Sequence, residues 1–180
     1  MRRVVLLLAT IGVAALLVTG VALAADFDGT PGPDTFAGTP QPDDVRGRGG
    51  DDMLSGAGAV DRIRGDAGND TLSGGPGGTR DNRERVEGDG GNDSVSGDAG
   101  ADEIRGGLGD DSMLGGDGPD LIRADDSGID TVDAGAGNDV IEADEDLGVD
   151  TIDCGEGVDT VRFDAGVDVV ADDCENRDPR

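Results

Sequence analysis

An acidic side chain recurs at almost constant spacing along most of this chain of 180 residues. Between Asp34 and Asp168 the spacing is nine residues at most steps, and it widens only where one, two or five extra residues occur. Carboxylate oxygens are ligands that hard cations prefer. The chain has no histidine and only two cysteines, so the ligand sets of most transition-metal sites are missing. The pattern favours binding of a hard cation through oxygen alone.

The acidic residues occupy the sixth position of a repeating unit, of which GDAGNDTLS, residues 65–73, is representative. Fifteen units can be aligned between Gly29 and Ala171, and twelve of them have nine residues. The longest unit runs from Gly74 to Glu87, has fourteen residues and carries Glu84 at its sixth position. The other units have aspartate there, and these aspartates are the candidate metal ligands: Asp34, Asp43, Asp52, Asp61, Asp70, Asp93, Asp102, Asp111, Asp120, Asp130, Asp139, Asp150, Asp159 and Asp168.

The eighth position is apolar in every unit, from Phe36 in the first to Val170 in the last. A disordered acidic segment can share this composition, but it gives no reason for the acidic and apolar positions to stay in phase. A fixed period of this kind is typical of solenoid proteins, in which each repeat packs on its neighbours. We therefore expect an ordered array in the metal-bound state.

The units resemble the nonapeptide GGxGxDxUx of the hemolysin-type calcium-binding family, also called RTX repeats, in which U is aliphatic. The resemblance covers nearly the whole chain after residue 24 and implies an all-β fold: a parallel β-roll, or β-solenoid, with two units per turn. It also implies that the first six residues of each unit form a turn that binds Ca²⁺ and that the last three form a short strand. The chain departs from the pattern at Gln41, Ala59 and Glu84, and its last five units begin with alanine, cysteine or phenylalanine.

Glycine and aspartate suit such a turn for separate physical reasons. Glycine adopts positive φ angles and allows close backbone approach without steric cost, and aspartate contributes charge on a short side chain. Each unit offers little apolar surface to bury, whereas unneutralised carboxylates repel one another. We therefore expect the chain to be largely disordered without Ca²⁺ and to fold on binding it.

Residues eighteen apart should stack on the same sheet if two units form one turn. Arginine at the ninth position falls only in even-numbered units, at Arg46, Arg64, Arg105, Arg123 and Arg162. Odd-numbered units instead carry serine there in part, with threonine or serine at the seventh position. We expect one arginine-bearing face and one hydroxyl-bearing face. In the N-terminal half the odd-numbered turns are closer to the consensus, so tighter Ca²⁺ binding is expected at that edge.

The two ends of the chain differ from the repeats. Arg2 and Arg3 precede the apolar run 4–18 and the small-residue stretch 22–24, which indicates a bacterial Sec-type signal peptide over residues 1–24; an uncleaved membrane anchor is the alternative. Residues 29–171 form the roll and residues 172–180 a cap or tail. Export to an oxidising compartment favours a disulfide between Cys154 and Cys174, with two unpaired thiols as the alternative.

A net charge of −27 argues against a nucleic-acid partner. The favoured function is a secreted, extracellular calcium-binding protein, structural or interacting, that is not an enzyme and has no membrane contact in its mature form. A first alternative is a Ca²⁺-dependent adhesin, in which the hydroxyl face binds ice, a glycan or a cell surface. A second is an enzyme acting on acidic polysaccharide, which the lack of a serine–histidine pair makes less favoured.

Overall fold

The computed structural model describes residues 4–6, 23–124, 126–144 and 148–180. Over these residues the protein contains β-strands, turns and bends, and no helix. Every pair of named strands is parallel. The all-β solenoid expected from the sequence is therefore confirmed.

Two parallel sheets form the long sides of the solenoid, and the chain alternates between them. The first sheet, in spatial order, consists of β1 (Val4–Leu6), β2 (Ala25–Asp28), β4 (Asp44–Arg46), β6 (Arg62–Ala67), β8 (Glu84–Gly90), β10 (Asp102–Leu108), β12 (Leu121–Arg123), β14 (Val140–Ala143), β17 (Thr160–Phe163) and β19 (Asn176–Pro179). The second consists of β3 (Thr35–Ala37), β5 (Met53–Ser55), β7 (Thr71–Pro76), β9 (Ser94–Ala99), β11 (Ser112–Asp117), β13 (Thr131–Gly137), β15 (Thr151–Asp153) and β18 (Val169–Val170), with β16 (Glu156–Gly157) paired to β13. Its eight rungs correspond to about eight turns of solenoid.

The apolar eighth position of each unit lines the space between the sheets. Register keeps these side chains stacked: Leu54 pairs with Leu72 in one sheet, and Val45 pairs with Ile63 in the other. The buried side chains are Phe36, Val45, Leu54, Ile63, Leu72, Val86, Val95, Ile104, Met113, Ile122, Val132, Ile141, Ile152 and Val161, with Val170 partly buried. Phe27, before the first unit, stacks on Phe36 with ring centroids 4.3 Å apart and closes the N-terminal end of the core.

From the third unit onward, most turns have left-handed backbone at their second and fourth positions, whereas Gln41, at the fourth position of the second unit, does not. Gly68, at a fourth position, has a φ of 142°, and a Cβ placed there would lie 2.1 Å from the carbonyl oxygen of Gly50. A side chain at Gly68 would therefore clash with the preceding turn. Ala59 occupies the same position in its unit and has a φ of 83°. The turn at Ala59 thus keeps a left-handed backbone at a smaller φ.

The outer faces differ as the doubled period predicts. On the first sheet arginines and acids of successive turns form ion pairs, among them Arg64 with Glu87 at 2.9 Å and Arg123 with Glu142 at 3.0 Å. On the second sheet the exposed seventh-position hydroxyls of Thr71, Ser94 and Ser112 stack in register. The first face is therefore a cross-linked charged surface, and the second is a row of small hydroxyls.

The disulfide between Cys154 and Cys174 is confirmed, with Cα atoms 5.2 Å apart. It holds the C-terminal segment where β19 adds a last strand to the first sheet, next to β17. At the position that stacks on Val161, β19 carries Arg177, which donates hydrogen bonds to the carbonyl oxygens of Ala171 and Cys174. A polar strand therefore covers the C-terminal end of the apolar column, which limits further edge pairing.

Most of the proposed signal peptide lies outside the described residues. Of its described residues, Val4–Leu6 pair in parallel with Ala25–Phe27 at the edge of the first sheet, and Leu23 and Ala24 directly precede β2. In the part of the chain that the structure describes, no helix has the length and apolarity needed to cross a membrane.

Replacing Ala59 by glycine should stabilise the fold. A left-handed conformation costs an L-residue other than glycine roughly 1–2 kcal/mol, and part of this is offset by the greater flexibility of glycine in the unfolded chain. We expect Ala59→Gly to raise the free energy of unfolding by up to about 1 kcal/mol, measured by denaturant unfolding in excess Ca²⁺. The control is Ala67→Gly, since Ala67 is exposed, lies in β6 and lacks a positive φ; it should lose roughly 0.5–1 kcal/mol. A loss of stability in both variants would contradict the assignment of strain to Ala59.

Removing the disulfide should loosen the C-terminal end alone. Cys154 and Cys174 are separated by 20 residues, and a closed loop of this size stabilises a fold by about 3 kcal/mol. Because each turn of a solenoid contacts only its neighbours, Cys174→Ser should lose amide-exchange protection in β17 and β19 and keep it in β6 to β11. Reduction of the wild-type protein is the matched control and should give the same pattern. Uniform loss of protection along the chain would contradict this expectation.

Candidate metal sites

The sixth-position acids line the inside of the turns along both edges of the solenoid. Odd-numbered units place them on one edge and even-numbered units on the other, so each edge carries one acid per turn. Those buried are Asp43, Asp52, Asp61, Asp70, Asp93, Asp102, Asp111, Asp120, Asp130, Asp139, Asp150 and Asp159, together with Glu84. The outermost pair on the odd edge, Asp34 and Asp168, are partly exposed. The structure therefore brings the predicted ligands together as two files of stacked carboxylates.

One oxygen of most of these carboxylates accepts a backbone hydrogen bond from the preceding turn of the same edge. On the odd edge the N–H of Asp52 donates to Oδ1 of Asp70 at 2.8 Å, and the N–H of Asp93 donates to Oδ1 of Asp111 at 2.8 Å. On the even edge the N–H of Asp120 donates to Oδ1 of Asp139 at 2.8 Å. The same bond recurs along both edges. We call each such file an aspartate ladder.

The second oxygen of most ladder carboxylates is buried without a hydrogen-bond donor. This is true of Oδ2 in Asp52, Asp61, Asp70, Asp93, Asp102, Asp111, Asp120, Asp139 and Asp159. Buried polar atoms almost always have a partner, because an unsatisfied one costs roughly 1–3 kcal/mol, and more when charged. At regular rungs, the ladder hydrogen bond gives a partner to one oxygen of each aspartate. The other oxygen is buried without one.

In the first ten units, the first-position glycine leaves room beside this second oxygen. A Cβ placed on Gly47 would lie 2.1 Å from Oδ2 of Asp52 and 2.7 Å from the carbonyl oxygen of Gly65. The corresponding distances at Gly88 are 2.3 Å to Asp93 Oδ2 and 2.5 Å to the carbonyl oxygen of Gly106. A carboxylate oxygen of one turn and a carbonyl oxygen of the next therefore converge on a space that any other residue would fill.

This donor set fits a hard cation. Ca²⁺ is bound by carboxylate and carbonyl oxygens together, and both kinds border the space at each regular turn. Among the described residues, the one set of three metal-capable side chains within 4.8 Å of one another is Cys154, Asp173 and Cys174. Its two sulfurs are joined in the disulfide, which leaves no thiolate for a metal. Aspartates alone therefore do not complete a site at any turn, and carbonyls must supply the remaining ligands.

Burial changes the protonation of the ladder acids. It raises the pKa of Asp93 and Asp111 to about 6, and that of Asp102 and Asp120 to about 7. The neighbouring carboxylates of the same ladder raise these pKa values further. The first cause is the loss of water around a negative charge, which the more distant charge of Arg83 offsets only in part at Asp102 and Asp120. A bound divalent cation would remove that cost.

A second ladder, not predicted from the sequence, runs along the odd edge at the fifth position. The N–H of Asn69 donates to Oδ1 of Asp51 at 2.9 Å, and the N–H of Asn92 donates to Oδ1 of Asn69 at 2.8 Å. It continues through Asp110 and ends where Ile129 offers no acceptor side chain. These bonds point in the opposite direction to those of the aspartate ladder. The signal was present in the sequence as aspartate or asparagine at the fifth position of four successive odd units.

The odd-edge aspartate ladder is continuous from Asp34 to Asp168, whereas the even-edge ladder is interrupted at Glu84. The interruption coincides with the five-residue insertion. The expected difference in Ca²⁺ affinity between the edges stays a prediction.

A model of the family described as "RTX calcium-binding nonapeptide repeat (4 copies)" matches five stretches of the chain: residues 28–62, 55–78, 87–122, 125–160 and 146–170. Together they span well over half of the chain and leave residues 79–86 unmatched. No curated protein matches the chain.

Acid should favour the metal-free fold. The folded-state pKa values of Asp93 and Asp120 are raised to about 6 and about 7, so the metal-free fold is more stable when these groups are protonated and loses stability as pH rises through those values. In the unfolded chain the same groups ionise near pH 4, so at neutral pH the metal-free chain favours the coil. Without Ca²⁺, far-ultraviolet circular dichroism should therefore show more β structure at about pH 4 than at pH 8. Equal spectra at the two pH values would contradict the expectation.

Proposed function

We propose that this chain, which belongs to the family of RTX calcium-binding nonapeptide repeat proteins, is a secreted module that binds Ca²⁺ in its repeat turns and folds when it does so. The ligands are the sixth-position aspartates, joined by backbone carbonyls of the same turns. The product of folding is a rod-like structural or interaction module. No substrate is part of this function.

The observation that carries the proposal is the file of buried carboxylate oxygens that have no donor. Stacked turns of a parallel sheet lie about 4.8 Å apart, and two negative charges at that distance repel by about 3 kcal/mol at an effective dielectric constant of 20. The repulsion recurs at every turn of both edges. A divalent cation between turns replaces the repulsion with attraction and supplies the partner that each Oδ2 lacks.

The small core makes this neutralisation a condition of folding. Each turn contributes two large apolar side chains to the interior, one from each sheet, such as Leu54 and Ile63. The remaining residues of the turn are mostly glycine and polar residues. They lose conformational entropy on folding and bury little apolar surface, so they do not stabilise the fold. Binding free energy therefore becomes folding free energy.

Secretion fits this coupling. The basic and apolar residues 1–24 are assigned as a Sec-type signal peptide, which directs the chain to a compartment where Ca²⁺ is more abundant than in the cytoplasm. Cleavage after Ala24 would turn the N–H of Ala25, which donates to Oδ1 of Asp43 at 2.6 Å, into a charged α-amino group. The first rung of the even ladder would then receive a positive charge when the signal peptide leaves.

A second candidate function rests on the hydroxyl face. Thr71, Ser94, Ser112, Thr131 and Thr151 are exposed and stack in register along five strands of the second sheet. A flat row of hydroxyls can bind a glycan, ice or a cell surface, although exposed strand hydroxyls are also common without a ligand. The row is interrupted at Met53, which is exposed. This function can be tested by measuring binding to immobilised glycans and thermal hysteresis in Ca²⁺. The protein is compared with a variant in which Thr71, Ser94 and Ser112 are replaced by residues without a hydroxyl.

The main test is a calcium titration followed by far-ultraviolet circular dichroism after chelation. We expect a coil spectrum that becomes β only with Ca²⁺ and not with equal Mg²⁺, since Mg²⁺ retains its water and demands tighter geometry. A spectrum unchanged by Ca²⁺ would reject metal-coupled folding.

Two neighbouring residues provide a matched pair of variants for this titration. Asp111 is buried in the aspartate ladder, whereas Asp110 is exposed in the fifth-position ladder. Asparagine keeps the accepting oxygen at both positions and removes one charge. Asp111→Asn should raise the Ca²⁺ midpoint several-fold, and Asp110→Asn should leave it nearly unchanged. Equal shifts in the two variants would indicate that overall charge, and not the ladder, determines Ca²⁺ binding.

A further inference from the structure

The five-residue insertion changes the even edge at one place. The unit Gly74–Glu87 contains a small loop in which Thr79 and Asn82 exchange backbone hydrogen bonds of 2.8 and 3.0 Å. Beyond the loop the strands return to register, with Val86 paired to Ile63 on one side and to Ile104 on the other. The insertion therefore leaves the sheet and the core intact and alters the turn alone.

The aspartate ladder is broken at this turn. The N–H of Glu84 donates to the carbonyl oxygen of Ala101 at 3.3 Å, whereas the equivalent N–H at regular turns donates to the carboxylate of the next unit. Asp102 consequently has no donor to either of its carboxylate oxygens. The N–H of Asp61, the ladder donor for Glu84, interacts with the Glu84 carboxylate but does not reach hydrogen-bond geometry with either oxygen. Both residues are 0% exposed. Four carboxylate oxygens without a well-formed hydrogen bond thus belong to adjacent rungs, where regular rungs have one each.

The longer side chain of Glu84 takes the place that aspartate occupies elsewhere. Its Oε2 lies 3.1 Å from the Cβ position of Gly74, the first residue of its unit, and 3.0 Å from that of Gly77. The carbonyl oxygen of Gly97 lies 2.8 Å from the same point on Gly74. Carboxylate and carbonyl oxygens therefore converge here as they do at regular turns, with more carboxylate oxygens available.

No ion pair compensates these charges. Within the described part of the chain, Glu84 and Asp102 form no salt bridge, although Glu87, three residues further on, is paired with Arg64 and Arg85. The positive charge of Arg83, next to Glu84 in the chain, favours the charged form of Asp102 from a distance. Two buried carboxylates without an ion-pair partner are costly in a protein interior. One divalent cation would neutralise both.

We propose that Glu84 and Asp102 hold a separate site for a hard divalent cation, Ca²⁺ in preference to Mg²⁺, and that this site binds its ion more tightly than the regular turns. The proposal rests on the calcium-dependent function above and concerns a turn that the family match leaves out. Because of the insertion, the N–H of Glu84 bonds to the carbonyl oxygen of Ala101 and not to the Asp102 carboxylate, and this change creates the site. The two carboxylates carry the same charge as any two adjacent rungs, but they offer more oxygens free of hydrogen bonds as ligand atoms.

The test is calorimetric Ca²⁺ titration of the purified protein with Glu84→Gln, and with Glu87→Gln as the matched control. The tightest binding step of the wild type should weaken at least tenfold in Glu84→Gln and stay within about twofold in Glu87→Gln, while the calcium-induced β spectrum persists in both. Amide exchange at one equivalent of Ca²⁺ should first protect β8 and β10 in the wild type. Unchanged tight binding in Glu84→Gln, or first protection elsewhere, would overturn the proposal and leave the calcium-dependent function standing.

A second variant covers the case in which Glu84→Gln remains a coil at every Ca²⁺ concentration. Deleting residues 79–83 and replacing Glu84 by aspartate restores a nine-residue unit, GGPGGDRVE, which fits the regular repeat. This variant should fold in Ca²⁺ and lack the tight step. Retention of the tight step would overturn the proposed site. Absence of Ca²⁺ binding in the wild type as well would instead overturn the proposed function.

Discussion

Nearly every turn of this solenoid depends on a carboxylate that has two roles. One oxygen accepts the backbone N–H of the acid one turn earlier, which fixes the distance and register between turns. The second carboxylate oxygen faces a space that is bordered by a carbonyl oxygen and left open because glycine has no Cβ. The first interaction can form within the protein, but it buries a charge that the protein does not neutralise. Stacking of the turns and cation binding are therefore coupled. Stacked turns without a cation bury an unneutralised charge, and the cation site does not form unless the turns stack.

The glycines and the apolar column follow from this constraint. In the unit that begins at Gly47, close stacking of turns combines left-handed backbone at Arg48 and Gly50 with a missing Cβ at Gly47. So many glycines leave few positions for a core, and the single apolar column of each sheet, 0–6% exposed between Phe36 and Val161, is what remains. The fold is thus rich in backbone contacts between turns and poor in side-chain packing. It relies on electrostatics to a degree that an ordinary globular domain does not.

The sequence predicted the fold well because its information is periodic. Two positions in each unit, one acidic and one apolar, determine which residues face the edges and which face the core, and the doubled period of Arg64, Arg105 and Arg123 assigns units to sheets. Properties that depend on one place in the chain were less accessible. The missing hydrogen bond from the N–H of Glu84 to the Asp102 carboxylate is an example. It depends on the direction of a backbone N–H, which cannot be inferred from residue types. The fifth-position ladder was readable from Asp51, Asn69 and Asn92, but its direction required the backbone geometry.

The C-terminal end shows how a repetitive structure can be finished. The N–H of Asp159 has no further unit to bond, and it donates instead to Oε2 of Glu175 at 2.9 Å. The tail thus supplies a carboxylate of its own and occupies the position of a following turn without belonging to the repeat. An end of this kind is independent of how many turns come before it. Evolution can therefore lengthen or shorten such a rod by adding or losing pairs of units in its interior, while the same short terminal segment continues to close it.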